Sequence, residues 1–142
     1  MKKLNRKDIE KIIPHREPFI LIDEVLNVEA GKRIIAVKHV KPDEYYFKGH
    51  FPGNPVMPGV LMIEAIAQAG AVAVLMLPQF SGKIVLFAGI DKARFKRIVR
   101  PEDTLKIEVD ILDFRRNIGK AFGKATVDGG LACSAEALFA VS

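Results

Sequence analysis

The chain has 142 residues, which is long enough to bury a hydrophobic core and fits a single domain over residues 1–142. Its composition, 49% hydrophobic and 27% charged, is typical of a globular protein and excludes an intrinsically disordered one. The net charge of +5 favours an acidic partner, and nucleic acid, an anionic membrane and an acidic protein all fit that description.

Taken in chain order, the predicted elements are a short first helix and a set of strands interrupted by one long apolar segment. Residues 5–12 predict a helix, with Asn5 as its N-cap and Pro14 just beyond its end. The Asp128–Gly129 pair near the end of the chain is a typical hairpin turn signal. Apolar runs with strand periodicity predict five or six mostly antiparallel strands, at residues 19–29, 34–40, 83–95, 104–114, 119–127 and 131–141.

The segment between the second and third strands divides into a loop and a helix. Residues 41–58 are rich in Pro and Gly and follow no period, which indicates a long ordered loop. From Gly59 the residues favour a helix, Pro58 suits its first turn, and Pro78 ends it. Because this helix is apolar nearly all round, it must be covered on most sides. We therefore predict an α+β fold in which a strongly curved antiparallel sheet wraps the helix.

Residues 59–77 also approach the length of a membrane-spanning helix, which needs about 20 apolar residues. Glu64 and Gln68, the only strongly polar side chains in this run, argue against insertion, since a carboxylate at the bilayer centre costs about 3 kcal/mol. The N-terminus has no apolar signal-peptide core, and the single cysteine, Cys133, suits a reducing compartment. We therefore expect a cytoplasmic protein with no membrane insertion.

His50 and Glu64, which flank the start of the long helix, are the candidate catalytic pair. Glu64 lies about 7.5 Å along the helix axis from Gly59, and Gln68 follows on the same face within hydrogen-bonding reach. Apolar surroundings disfavour a carboxylate, so Glu64 can act as a proton donor, while the imidazole of His50 is suited to act as a base. The backbone N–H groups of Gly59 and Val60 can bind a developing oxyanion.

An acid, a base and oxyanion donors together fit removal of a proton next to a carbonyl, followed by loss of a β-hydroxyl group as water. Dehydration of a β-hydroxyacyl thioester is this chemistry, and it needs no cofactor. Two other interpretations stay open from the residue types alone: His50 could only brace its loop, and Glu64 could be a buried structural acid paired with an arginine. No His, Cys or carboxylate grouping has the spacing of metal ligands, so no metal is expected.

Three sequence blocks carry a family resemblance. GHFPGNPVMPGVLMIEAIAQAG, at residues 49–70, closely resembles the signature of the FabZ-type (3R)-hydroxyacyl-[acyl carrier protein] dehydratases of type II fatty acid synthesis. IIPHREPFILIDEV, at residues 12–25, and GIDKARFKRIVRPEDTL, at residues 89–105, resemble further blocks of the family in the expected order. The resemblance implies a hot-dog fold, in which the sheet wraps the long helix. It also implies acyl carrier protein as partner and a homodimer with one continuous sheet, commonly assembled as a trimer of dimers.

The resemblance also assigns roles to individual residues. It implies that His50 is the catalytic histidine and Glu64 the catalytic glutamate, at a site where one subunit supplies the histidine and the other the glutamate. Gly59 would supply a backbone N–H group to the thioester carbonyl, and Gln68 would support the glutamate. The related FabA-type enzymes, which also isomerise the double bond, typically carry aspartate where this chain has Glu64, so the glutamate favours dehydration alone.

Residues 91–100 carry five basic residues against Asp91 and form a candidate docking patch for acyl carrier protein. The residues that would carry this docking are Lys92, Arg94, Arg97 and Arg100. A solvated strand edge guarded by charge is the alternative interpretation of the same pattern.

Two other functions remain as rivals. A nucleic-acid-binding module would suit the basic charge, but no RNP-like or zinc-finger pattern is present. A hot-dog thioesterase would use a carboxylate to direct water at the same thioester.

The remaining candidate residues receive structural interpretations. His39 is expected to be structural within a strand and Cys133 to be a small core residue. For His15, in the PHREPF block, the family resemblance implies a turn with Arg16 and no part in the chemistry. Five apolar side chains are candidates to line an acyl tunnel: Met57, Met62, Met76, Phe80 and Phe87.

Overall fold

The computed structural model describes residues 2–142, which form six strands and two α-helices. Helix α1 spans Arg6–Ile12 and helix α2 spans Gly59–Leu75. The strands are β1 (Glu24–Glu29), β2 (Arg33–His39), β3 (Val85–Phe95), β4 (Thr104–Arg115), β5 (Ile118–Val127) and β6 (Gly130–Val141). Short 3-10 helices lie at Tyr45–Lys48, inside the predicted loop, and at Pro78–Phe80.

The six strands form one antiparallel sheet in the order β1-β2-β4-β5-β6-β3. Strand β3 precedes β4 in the chain but lies at the far edge, paired on one side with β6. The two edges of the sheet are therefore β1 and β3. Between β5 and β6, Asp128 has φ +50° and Gly129 has φ +82°, which is the backbone of a type I′ turn, so the predicted hairpin is confirmed.

Helix α2 packs against strands β2, β4, β5, β6 and β3. Alternate side chains of β4 point at it, and Leu105, Ile107 and Val109 are fully buried. At Gly123 on β5 the helix comes so close that a Cβ atom would overlap the side chain of Ile66. A sheet that wraps one buried helix in this way is the predicted hot-dog architecture, which is confirmed.

Two predicted elements have different ends in the structure. The strand predicted over residues 19–29 begins only at Glu24, because the backbone N–H group of Leu21 bonds to the side chain of Gln68 on α2 and not to a neighbouring strand. Helix α2 ends at Leu75, before the residue 77 limit set by Pro78. The predicted first helix is confirmed, with Asn5 accepting from the backbone of Asp8 in a capping box.

Within residues 2–142, no helix combines the length and the apolar character that crossing a membrane requires.

Candidate active site

The first turn of α2 presents backbone donors at Gly59 and Val60. Pro58 stands at the N-cap and offers no capping side chain, and the described residues provide no acceptor for either N–H group. Gly59 is required by close packing, because a Cβ atom there would lie 2.8 Å from the ring of Phe95. Val60 is 68% exposed, so this turn is open to a ligand.

Gln68 holds the carboxyl group of Glu64 from one turn further along α2. Its Nε2 atom donates to Oε2 of Glu64 over 2.8 Å, so the predicted hydrogen bond is present. Gln68 is only 1% exposed, and it also accepts from the backbone N–H of Leu21 at 2.7 Å and donates to the carbonyl of Phe19 at 3.1 Å. This amide therefore ties the catalytic candidate on α2 to the segment that leads into β1.

His15 also lies near this carboxyl oxygen. Its Nε2 atom lies 3.7 Å from Oε2 of Glu64, and its ring stacks on Phe19 with an interplanar angle of 12°. A turn that starts at Arg16 is present, since the backbone N–H group of Phe19 donates to the carbonyl of Arg16 over 2.8 Å. The guanidinium of Arg16 also donates to the carbonyls of His15, Ile13 and Glu10. The sequence analysis missed the position of the imidazole. The only relevant sequence feature was the PHREPF block, and nothing in that block indicates that His15 lies close to α2.

Glu64 and His15 line a cavity of about 230 Å³ between α2 and the sheet. The other lining residues are apolar or uncharged, and they come mainly from α2 and from strands β3 to β6. Among the described residues, His15 and Glu64 are the only titratable side chains in its wall. The cavity therefore combines an acyl-compatible surface with one carboxyl group at its wall.

Of the five side chains predicted to line an acyl tunnel, one lines this cavity. Phe87 on β3 lines the cavity, whereas Met57, Met62, Met76 and Phe80 do not. Met57 and Met62 are almost completely buried and pack in the core instead. An apolar composition alone does not show which side of a buried element faces a void.

His50 lies in the loop before α2 and does not line the cavity of Glu64. Its Nδ1 atom is 2.7 Å from the carbonyl oxygen of Val56, and its ring stacks on Phe51 at 3.9 Å between centroids. A carbonyl only accepts, so Nδ1 carries the proton and Nε2 keeps the lone pair that a base needs. One chain thus presents the candidate base and the candidate acid at separate places.

Two alternative interpretations were open, His50 as a brace of its loop and Glu64 as a structural acid, and the contacts bear on each. The described partners of Glu64 are Gln68 and His15, so its interpretation as a structural acid paired with an arginine is wrong. His50 does brace its loop through Val56, but the contact uses only one of its two ring nitrogens.

The four predicted docking cations are all exposed, near the end of β3 and in the segment after it. Lys92 lies 3.5 Å from Glu136, and Arg94 donates only to the carbonyl of its neighbour Ala93. Arg97 donates to the carbonyl of Val127. Arg100 differs from the others, because its guanidinium donates to Oδ1 of Asn54 over 2.8 Å and so holds the loop that carries His50.

Comparison with known proteins identifies the family. The model of the FabA-like domain matches residues 13–136. The 3-hydroxyacyl-[acyl-carrier-protein] dehydratase FabZ of Chloroflexus aggregans is 58% identical over 139 residues, which cover 98% of this chain and 96% of that protein. This chain belongs to the FabZ family of dehydratases. The FabZ protein of Staphylococcus carnosus is 59% identical over 133 residues, covering 94% of this chain and 92% of that protein.

Solved structures show the same fold at much lower identity. The dehydratase heterocomplex ApeI:P from Xenorhabdus doucetiae aligns with a TM-score of 0.82 at 18% identity, covering 94% of this chain and 90% of that one. A hypothetical thioesterase from Streptococcus pneumoniae, solved with coenzyme A, aligns with a TM-score of 0.64 at 14% identity, covering 83% and 86%. Membership of the FabZ family favours a dehydratase over both the thioesterase and the nucleic-acid-binding module.

Proposed function

We propose that this chain removes water from (3R)-3-hydroxyacyl groups carried on acyl carrier protein and releases the trans-2-enoyl product, as a step of type II fatty acid synthesis. The observation that carries the proposal is the placement of Glu64, a carboxyl group held by Gln68 in the wall of a mainly apolar cavity, in a chain 58% identical to a protein named for this reaction. An acyl chain fits such a wall, and the carboxyl group is the polar feature that can act on a hydroxyl group.

The proposed mechanism uses His50 as base and Glu64 as acid. Nε2 of His50 removes a proton from C2, and the electron pair of that bond delocalises onto the thioester oxygen. The N–H groups of Gly59 and Val60 stabilise this oxyanion. The electrons then form the C2–C3 double bond while the C3–O bond breaks, and Glu64 gives its proton to the departing hydroxyl group, which leaves as water. Nothing in these steps calls for a metal or a cofactor.

We further propose that each site takes His50 from one chain and Glu64 from a second copy, because His50 does not line the cavity of Glu64. Strand β3 is the surface that a second copy would use. It is an edge strand of 11 residues with one side unpaired, and it carries exposed apolar side chains, which favour pairing with another strand. These side chains are Leu86, Phe87, Ile90 and Phe95. The expected assembly is a dimer with one continuous sheet, and three such dimers would associate into a trimer of dimers.

Acyl carrier protein is the proposed macromolecular partner. Lys92 and Arg94 are its best contacts, since both are exposed, Arg94 donates to the carbonyl of its neighbour Ala93, and the contact of Lys92 with Glu136 is a long one of 3.5 Å. Arg97 and Arg100 add positive charge to the same surface, although each also donates to the chain itself. The cytoplasm stays the expected compartment, because Cys133 is buried and free.

The test is a dehydration assay on a 3-hydroxyacyl thioester, followed by enoyl absorbance and by a thiol reagent. We expect enoyl product without release of thiol, and a loss of at least about a hundredfold in kcat for His50→Ala and for Glu64→Gln. Thiol release would instead identify a thioesterase. Near-normal turnover in either variant, with its fold intact by circular dichroism, would overturn the assignment of that residue.

A further inference from the structure

We propose that His15 is a positioning residue for Glu64: its imidazole N–H group and the amide of Gln68 together hold Oε2, so that Oε1 is left for the substrate. This inference rests on the proposed function, because it concerns how the proposed acid is oriented. It assigns a role to a side chain that the sequence placed in a turn without chemistry.

Both neighbours of the carboxyl group lie at one of its two oxygens. Nε2 of Gln68 is 2.8 Å from Oε2 and Nε2 of His15 is 3.7 Å from the same atom. Among the described residues, no group bonds to Oε1. A carboxyl group held through one oxygen keeps the other free to give its proton to a leaving hydroxyl group. Contacts of catalytic groups are often long in the free protein and shorten only when substrate is bound.

The environment of the imidazole determines which nitrogen carries its proton. In the described part of the chain, Nδ1 of His15 is buried and has no hydrogen-bond partner. A proton on Nδ1 would be a buried donor without an acceptor, whereas a proton on Nε2 points to the carboxyl group of Glu64. The neutral ring therefore carries its proton on Nε2, the nitrogen that faces Oε2.

The ring and the chain around it are held by three sets of contacts. Phe19 stacks on it, Arg16 fixes the backbone carbonyl of His15, and Gln68 anchors the following segment through Leu21 and Phe19. A flexible surface histidine would lose side-chain entropy on forming such a contact, but this ring is already ordered. His15 thus meets the requirement for preorganised support of a catalytic group.

Charge inside the cavity gives the contact a further function. Once Glu64 has given up its proton, it is a carboxylate in a wall whose only other titratable side chain, among those described, is His15. The hydrogen bond from Gln68 and the electrostatic attraction of the imidazole N–H group 3.7 Å away stabilise that carboxylate, and this stabilisation grows during the chemical step while substrate binding is unaffected. The contact should therefore act on kcat and not on KM.

The experiment compares three variants of the full-length assembled protein. His15→Phe keeps a ring against Phe19 but removes the donor, and His15→Gln places an amide N–H group near the position of Nε2. His39→Phe is the matched control, because His39 also lies 3.7 Å from a carboxylate, that of Glu24, but at the exposed surface. Circular dichroism and size-exclusion chromatography establish that each variant folds and assembles as the wild type does.

We expect kcat to fall about ten- to a hundredfold in His15→Phe with KM within about twofold, and to recover to within about threefold of wild type in His15→Gln. His39→Phe should match the wild type. Wild-type turnover by His15→Phe, or an equal loss of kcat in His15→Gln, would overturn the inference.

A spectroscopic measurement separates failure of this inference from failure of the proposed function. Imidazole ¹⁵N NMR should show the Nε2–H tautomer for His15 in the wild type and a changed resonance in Glu64→Gln. An Nδ1–H tautomer would contradict the inference whatever the enzyme does. If the wild type does not dehydrate the substrate, or if Glu64→Gln keeps its activity, the proposed function fails, and the NMR result still reports on the contact.

Discussion

The amide of Gln68 donates to Oε2 of Glu64 over 2.8 Å while its own oxygen accepts from the backbone N–H of Leu21 over 2.7 Å. One buried side chain thus serves both the candidate acid and the packing of the chain before β1. A substitution at Gln68 should therefore lower both the stability of the fold and the activity.

Gln68→Met keeps much of the volume but removes all three hydrogen bonds of the amide. We expect the free energy of unfolding to fall by about 1–3 kcal/mol, because the N–H group of Leu21 is left buried without an acceptor. Activity of the folded enzyme should fall about tenfold, since Glu64 loses its orientation. Denaturant titration and steady-state kinetics measure the two effects. Gln79→Met, at an exposed position, is the control and should change neither.

Hybrid dimers test whether the site takes residues from two chains. His50→Ala and Glu64→Gln should each be inactive, but co-expression of the two chains should restore roughly a quarter of wild-type activity. Half of random dimers are hybrids, and each hybrid has one site with both native residues. Hybrids confirmed by mass spectrometry yet without activity would show that both residues act within one chain.

Substitution on strand β3 tests the proposed interface. Ile90 is 46% exposed on this edge and does not line the cavity. Ile90→Lys should yield monomers in analytical ultracentrifugation and lower kcat, because a charged edge resists strand pairing. Leu26→Lys, on the opposite edge strand β1, should keep the wild-type assembly. Dimerisation of Ile90→Lys with full activity would place the interface elsewhere.

Substitution of the docking cations should affect carrier-linked substrates more than free ones. For the double variant Lys92→Ala and Arg94→Ala, KM for the carrier-linked substrate should rise about three- to tenfold, while KM for a short free thioester stays constant. The difference should shrink as salt increases, since exposed charges are screened. Lys7→Ala, an exposed cation on α1, is the control. Equal effects on both substrates would argue against docking at these residues.

Arg100 should behave differently from the other cations. Arg100→Gln removes a guanidinium that donates to Asn54 in the loop of His50. We expect kcat to fall by a similar factor, about three- to tenfold, on carrier-linked and free substrates, because the loop loses a brace. An effect limited to the carrier-linked substrate would assign Arg100 to docking alone.

The burial of Cys133 predicts that the protein loses stability at alkaline pH. Burial raises the pKa of its thiol from 9.0 to about 11, so at pH 10 the thiol is mostly ionised in the unfolded chain but not in the folded one. The stabilising contribution is complete below pH 9 and is lost as pH rises through 11. The unfolding free energy of the wild type should therefore fall more steeply over this range than that of Cys133→Ala. Parallel pH profiles would contradict the prediction.

The sequence by itself determined the long helix, most strand positions and the candidate acid. Glu64 stands out because it is the one carboxylate in an apolar run that begins after Pro58 and ends before Pro78. Strand alternation and the hairpin turn at Asp128 are local patterns, and local patterns depend on neighbours in the chain.

Tertiary structure alone placed His15 beside Glu64. His15 lies 49 positions before that carboxyl group in sequence, and only the packing of the Phe19–Leu21 segment across α2 brings the imidazole within 3.7 Å. The same packing ended the predicted strand early, because the amide of Gln68 took the backbone hydrogen bond of Leu21. The residue pattern alone did not show that His50 is separated from the cavity, since it does not specify which face of a helix each loop covers. Only the family resemblance implied that the histidine and the glutamate of one site come from different subunits.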